Sequence, residues 1–295
     1  MVMKRSFSEK VFNLFNYLFM LVVVGITFYP IYYVALCSIS DNTKLFGARG
    51  LMLIPKGFSL MAYKSVMENP NIMTGYRTTI IVVLAGTVLS VLLTSIGAFL
   101  VTRRKFAIKK GMLYMMIFTM FFSGGMIPTY LLVYKWLHLG DTLWALFLPG
   151  AISTYNLLIM KSNFEALPYE LEEAAKIDGA NDIVLLFRII LPLSMPIIAV
   201  MILFYGVGYW NSWFSAMVYI RSRQFYPLQL ILREILLMND MSSMNIDTGG
   251  AGDRYMIGET IKYATIMVAT IPILFVYPLV QKYFVKGIMI GAVKG

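Results

Sequence analysis

Residues 161–191 carry six carboxylates, Glu165, Glu170, Glu172, Glu173, Asp178 and Asp182, against three cations, Lys161, Lys176 and Arg188. That is a net charge of −3 in a chain whose formal charge is +10. The chemistry on offer is recognition: an acidic surface for a protein partner with complementary basic residues. Elsewhere the reactive residue types are sparse. Cys37 is the single cysteine, so no disulfide or thiolate metal site forms within the chain. His138 is the single histidine, beside Trp136, and reads as a loop residue rather than a metal ligand, which needs further donors nearby. No Gly-Lys dipeptide occurs, so a phosphate-cradling loop is excluded. The expectation is a chain with no catalytic residue, no metal and no ATPase site.

The elements that position this acidic stretch are membrane helices. Hydrophobic residues make up 59% of the chain and charged residues 14%, with mean hydropathy +0.74, which is outside the soluble globular range. Apolar runs long enough to cross about 30 Å of hydrocarbon predict an all-α integral membrane protein. The predicted transmembrane helices are residues 11–39, 78–102, 111–134, 142–160, 192–220 and 263–281. The first is too long for the apolar core of a signal peptide and is read as retained. No span carries an Asp, Glu, Lys or Arg at mid-depth, where ion-coupled carriers place such groups.

Orientation follows from basic residues in short loops. Lys4, Arg5 and Lys10 precede the first span, and Arg103, Arg104, Lys105, Lys109 and Lys110 lie between the second and third, whereas Lys135 stands alone between the third and fourth. Both termini are therefore expected in the cytoplasm, the carboxyl end carrying Lys282, Lys286 and Lys294. These cations sit where anionic lipid headgroups attract them, so the positive charge points to membrane lipid and not to nucleic acid.

Within the acidic loop, Pro168 suits the first turn of a helix, and Glu170, Glu172 and Glu173 lie near its positive end. Leu171, Ala174 and Ala175 share one side, where the alanines permit close approach. Gly179 suits the stop, and Asn181 or Asp182 caps a second helix with Ile183, Phe187 and Ile190 on one stripe. Two readings are open from these residues: a docking handle for another protein, or an amphipathic interfacial pair packed on its own bundle.

The pattern Glu173-Ala174-Ala175, Gly179, Ile189 and Leu191-Pro192, with Glu172, Asp178 and Ala180 beside it, resembles the EAA loop of ABC importer permeases. Leu167-Pro168-Tyr169-Glu170-Leu171-Glu172 and the ending QKYFVKGIMIGAVKG resemble the MalG-like, carbohydrate-importing branch. GGMIPTYLLV from Gly124 and WNSWF from Trp210 look similar to LplC-like oligosaccharide or polysaccharide permeases. The resemblance covers essentially the whole chain, with a permease core over 75–283. It implies a type I importer fold, and an ATP-driven sugar importer in which residues 161–191 form coupling helices on a cytoplasmic ATPase. Implied partners are a second homologous permease, two ABC ATPase subunits that hold ATP and Mg, and an extracytoplasmic solute-binding protein. Implied too is a prokaryotic cytoplasmic membrane, and a tail at 282–295 whose Gly291, Ala292, Val293, Lys294 and Gly295 contact the ATPases.

Two further groups are singled out. The external segment 221–262 contains Asp247, Gly249, Gly250 and Gly252 in a stretch with little periodicity, read as an exposed loop. It is either a connector or, by the resemblance, a probe that enters the binding protein. Tyr209, Trp210, Asn211 and Trp213 at the end of the fifth span suit stacking on sugar rings, and equally an aromatic belt at the membrane interface. An ion-coupled sugar carrier is disfavoured by the uncharged spans, and an enzyme of lipid-linked sugars by the lack of a carboxylate or histidine cluster.

Overall fold

The computed structural model describes residues 7–46, 50–103, 106–238, 260–275 and 278; the described residues are helical and connecting, with no strand among them. The chain divides into two compact units, residues 1–69 with 234–270 and residues 70–233 with 271–295. In the first, helix α1 (Phe7–Ser38) is followed by α2 (Asn42–Phe46) and α3 (Met61–Glu68). Leu36, Cys37 and Met52 are buried together with Tyr33 and Tyr263 against them. Most of α1 stays uncovered, with Phe12, Phe15 and Leu21 exposed. For a span this is a lipid-facing or partner-facing surface.

The second unit is built on α4 (Pro70–Thr102). At 33 residues it rises about 50 Å, more than the hydrocarbon thickness. It therefore starts eight residues ahead of the predicted span, which marked the apolar slab and not the ends of the helix. One stripe of α4 is small: Gly75, Gly86 and Gly97 recur at an eleven-residue period, close to three turns, interleaved with buried Thr79, Ser90, Thr94 and Ala98. A Cβ at Gly86 would fall 2.8 Å from the Tyr209 ring and 2.9 Å from Phe147 Cβ; one at Gly97 would fall 2.8 Å from Leu157. Small residues on this face let the neighbouring helices approach to backbone distance.

Those neighbours are α8 (Thr154–Glu165) and α12 (Met195–Trp210), the elements that pack most extensively on α4. The hydroxyls of Ser90 and Thr94 meet those of Tyr209 and Tyr205 at 2.8 and 2.7 Å. Tyr209 also donates to the Phe147 carbonyl at 3.2 Å, and Tyr205 accepts from the Ser153 amide at 3.1 Å. Cross-helix hydrogen bonds of this kind contribute about 0.6 kcal/mol each inside a membrane. They fix register along with the apolar core of Val82, Phe99, Leu157, Met160 and Met201.

Three of the predicted spans are not continuous helices. Residues 111–134 divide into α5 (Lys109–Phe121) and α6 (Met126–Leu131, extended by a π-helical turn to Trp136), bent by 116°. Phe122 is extended and Gly125 takes φ +83°, which breaks the helix between them. Residues 142–160 divide into α7 (Trp144–Phe147) and α8 around Pro149-Gly150, and α8 runs on to Glu165. Residues 192–220 divide into α12 and α13 (Phe214–Tyr219) at Asn211. Apolar composition sets what lies in the membrane, but turn-forming residues, here Gly124-Gly125, Pro149-Gly150 and Asn211-Ser212, lie where the helices stop. By length and composition α1 and α4 each suffice to cross a membrane, and up to four spans result if each bent pair is one. The final described helix, Thr260–Phe275, is shorter and apolar.

Candidate functional site

The acidic loop folds as two short helices joined by a glycine turn. The first, α9 (Tyr169–Ile177), follows Pro168, which sits at the N-cap with ψ 129° rather than inside the first turn. Its extended conformation still directs the chain into the helix. Glu170 and Glu172 occupy the positive end and Lys176 the negative end. At the far end the Gly179 amide bonds the Lys176 carbonyl at 3.1 Å and the Ala180 amide bonds the Ala175 carbonyl at 2.9 Å, with Gly179 at φ +81°. This is a Schellman cap, the stop expected of Gly179. Asn181 then caps the next helix, its Oδ1 accepting from the Val184 amide at 2.9 Å. Of the two residues left open as caps, Asn181 is the one used.

The second helix is α10 (Asp182–Val184), a π-helical stretch Leu185–Ile190, and α11 (Leu191–Leu193). It bends by 86° into α12 at Ser194. The predicted stripe of Ile183, Phe187 and Ile190 is split: Ile183 is 69% and Phe187 45% exposed, whereas Ile190 is buried beside Leu185 and Leu186. A π-helical turn has more residues than an α-turn, so spacings drawn for 3.6 residues no longer share a face. Ile189 and Leu191 are half-buried and Pro192 is exposed.

The predicted face of Leu171, Ala174 and Ala175 divides likewise. Ala175 is buried in the same cluster as Phe164, Leu185 and Phe99, while Leu171 and Ala174 are exposed. Glu173, Asp178, Gly179 and Asp182 also face outward, with Ile177 the most exposed apolar residue here at 86%. The outward surface is thus a ridge of Ile177, Ile183 and Phe187 framed by carboxylates, and a Cβ on Gly179 would meet nothing within 4 Å. One edge of α9 packs on its own bundle through Ala175, and the other edge is open.

Glu172 behaves differently from its neighbours. Its carboxylate lies 2.5 Å from Arg103 Nη1 and 2.6 Å from Lys176 Nζ, with 16% of the side chain exposed. Burial opposes its ionisation, but the Lys176 hydrogen bond and the Arg103 charge outweigh it and hold the carboxyl below its usual range. Lys176 is pushed up in turn, chiefly by its bond to Glu172. A cavity of about 300 Å³ opens beside this pair, lined by Arg103, Lys109, Glu165, Tyr169 and Glu172. Arg103 entered the sequence reading only as one of several loop cations, and nothing local in the chain marks it as the partner of Glu172.

The aromatic group separates. Tyr209 is buried, its hydroxyl held by Ser90 and Phe147. Trp210 is half-buried and edge-on to Tyr76 at 6.3 Å, and it lines an apolar groove of about 650 Å³ with Thr87, Ile202 and Gly206. Asn211 is exposed and donates from Nδ2 to the Val207 carbonyl at 2.9 Å, while Trp213 lies under the Arg233 guanidinium at 4.6 Å. Neither borders the groove. His138, at φ 51°, and buried Cys37 join no cluster of metal ligands among the described residues. The segment with Asp247, Gly249, Gly250 and Gly252 and the tail Gly291, Ala292, Val293, Lys294 and Gly295 lie outside the described residues.

Comparison with known proteins gives this arrangement its context. The family model described as "Binding-protein-dependent transport system inner membrane component" matches residues 94–290. Protein LplC of Bacillus subtilis (strain 168) is 42% identical over 293 residues, covering 99% of this chain and 98% of that protein. The polygalacturonan/rhamnogalacturonan transport system permease protein YtcP of the same organism is 40% identical, covering 98% and 100%. A chain from the crystal structure of a bacterial ABC transporter involved in the import of the acidic polysaccharide alginate superposes with TM-score 0.85 at 30% identity, covering 95% of this chain and 99% of its own.

Proposed function

Since the chain belongs to the family of binding-protein-dependent transport system inner membrane components and has the all-helical type I ABC permease fold, we propose that it imports fragments of a polysaccharide as one of two permease subunits, powered by partner ATPases. The observation that carries this is the end-to-end similarity to LplC and YtcP, at 42% and 40% identity. The names of YtcP and of the alginate transporter favour oligosaccharides of acidic sugars as cargo.

In this reading the chain is a membrane-embedded transport subunit of a prokaryote, crossing the bilayer six times with both termini in the cytoplasm. The bent pair α5–α6 then serves as a single span, whereas the 86° bend at Ser194 separates the cytoplasmic helix 182–193 from the span begun by α12. ATP and Mg stay on the ATPase subunits. Closure of the ATPase dimer pushes on Glu173, Ala174, Asp178, Gly179 and the ridge of Ile177, Ile183 and Phe187. That push swings the bundle between inward-open and outward-open states. Support comes from a helix closed at its C-terminal end by the Gly179 turn, with exposed Ile177, Ile183 and Phe187 among exposed carboxylates, a surface suited to a basic-rimmed apolar groove. The tail from Gly291 to Gly295 adds a second contact to the ATPases. Outside, the loop with Asp247, Gly249, Gly250 and Gly252 enters the binding-protein cleft. Trp210 contacts the passing sugar, with Asn211 and Trp213 at the mouth and Tyr209 behind.

The test is reconstitution in proteoliposomes with the second permease, the ATPase pair and the binding protein, using an oligogalacturonate mixture as probe. Uptake should require ATP hydrolysis and the binding protein. Uptake driven by a proton or sodium gradient without ATP would overturn the reading, and ATP-dependent uptake of a neutral oligosaccharide alone would overturn the acidic-sugar assignment.

A further inference from the structure

Glu172 and Glu173 are neighbours in sequence, yet only Glu173 faces outward. Glu172 turns back into the molecule, onto Arg103, the residue that follows α4. Arg103 is itself tightly held. Its guanidinium stacks 4.2 Å above the Phe99 ring, its Nε donates to the Phe99 carbonyl at 3.3 Å, and its Nη2 donates to Thr102 Oγ1 at 3.3 Å. Lys109 Nζ closes the turn by donating to the Arg103 carbonyl at 3.1 Å. With three of its faces engaged on α4, the guanidinium presents Nη1 to Glu172, and both side chains are only 14% and 16% exposed. Phe99 is a core residue, 4% exposed, on the helix against which α8 and α12 pack most extensively.

We infer that Arg103 is a positioning residue that acts through Glu172: the ion pair is a strut fixing α9 to the cytoplasmic end of α4, so that a push on α9 moves the helix at the centre of the packed bundle. The 300 Å³ cavity beside the pair explains why a strut is needed. On that side α9 has open space rather than close-packed side chains, so without the ion pair a force on its outer surface would tilt it into the cavity and leave α4 behind. Partial burial matters as well, because solvent screens a pair enclosed to this degree less than an exposed one. The other partner of Glu172, Lys176, sits one turn away on α9 itself and is 45% exposed, so this pair does not join α9 to α4. The inference rests on the coupling role proposed above but makes a separate structural claim.

The experiment uses Glu172→Gln, Arg103→Met and the double variant in the full transporter, with two readouts. Hydrogen exchange of the α9 amides needs no substrate: each single variant should speed it by about tenfold, and the double should add nothing, because the two residues act as one unit. Oligogalacturonate moved per ATP hydrolysed should fall by at least fivefold in either single variant and no further in the double, while Lys176→Gln stays within twofold of wild type. Multiplying effects of the two single variants, or unchanged exchange in both, would overturn the strut. Should Arg103→Met fail to assemble, the exchanged pair Arg103→Glu with Glu172→Arg decides: restored assembly supports the strut, and failure equal to the single variant overturns it. Wild-type transport without ATP dependence would instead refute the coupling role, and the exchange data would still decide the strut.

Discussion

Single side chains here act mainly by tying loops to helices. On the other side of the second unit, Asp141 accepts from the Arg221 amide at 2.9 Å, the Ser222 amide at 2.8 Å and the Ser222 hydroxyl at 2.6 Å, clamping two loops. It holds an uncommon φ of 58° to do so. The Ser222 hydroxyl, helped by the backbone amides and the Arg221 charge, keeps its carboxyl below the usual range against a smaller cost of burial. A depressed folded-state pKa contributes stability above the unfolded value of about 3.9 and loses it as pH falls through the folded value. The melting temperature of the detergent-solubilised protein should thus lose this contribution below about pH 4. Asp141→Asn should melt lower at neutral pH and lack that part of the acid decline. Parallel profiles for the two proteins would count against the clamp. Neither this clamp nor the Arg103–Glu172 pair was legible in the sequence, since their partners stand far apart along the chain. Gly179 and Asn181 were legible because a cap is made with residues three to five positions away.

At the scale of elements, the acidic-loop helices α9 and α10 owe their shape to one glycine and the bundle owes its packing to three. Gly179 at φ +81° has open space around it, so Gly179→Ala meets no clash and should cost about 1–2 kcal/mol of backbone strain. Gly179→Pro cannot reach that φ at all and removes the amide bonded to Lys176. In proteoliposomes the alanine variant should keep most uptake and the proline variant should lose at least tenfold while still inserting in the membrane; equal activity of the two would refute the turn's role. Gly86 is the reverse case. Its φ is ordinary, but its Cβ site is occupied by Tyr209 and Phe147, so Gly86→Ala should destabilise the protein by about 1–3 kcal/mol in detergent melting. Gly208→Ala, with no heavy atom within 4 Å, should be neutral. The eleven-residue glycine period on α4 is present in the sequence, but its meaning shows only in the structure, where Tyr209, Phe147 and Leu157 fill the space beside Gly86 and Gly97.

At the scale of the whole molecule, the chain is a membrane permease of the binding-protein-dependent transport family, and the proposed function makes it one of two such subunits. Its uncovered α1 and the apolar groove beside Trp210 make sense for a subunit that meets lipid and a second permease. Deleting residues 247–252 tests the external arm of the proposal: uptake should fall at least tenfold with assembly and ATPase recruitment intact, and unchanged uptake would show that the loop is only a connector. The amino-acid sequence by itself determined the all-helical membrane class, the six apolar segments, the two short helices of the acidic loop and the glycine between them. These depend on composition and on contacts within a turn or two of helix. Tertiary structure alone decided which carboxylate of α9 faces outward and which turns inward to Arg103. It also decided where apolar segments break, and how the predicted stripe of Ile183, Phe187 and Ile190 divides. The physical reason is range: caps and hydropathy act between near neighbours, whereas an ion pair between loops exists only after packing has carried its two ends together.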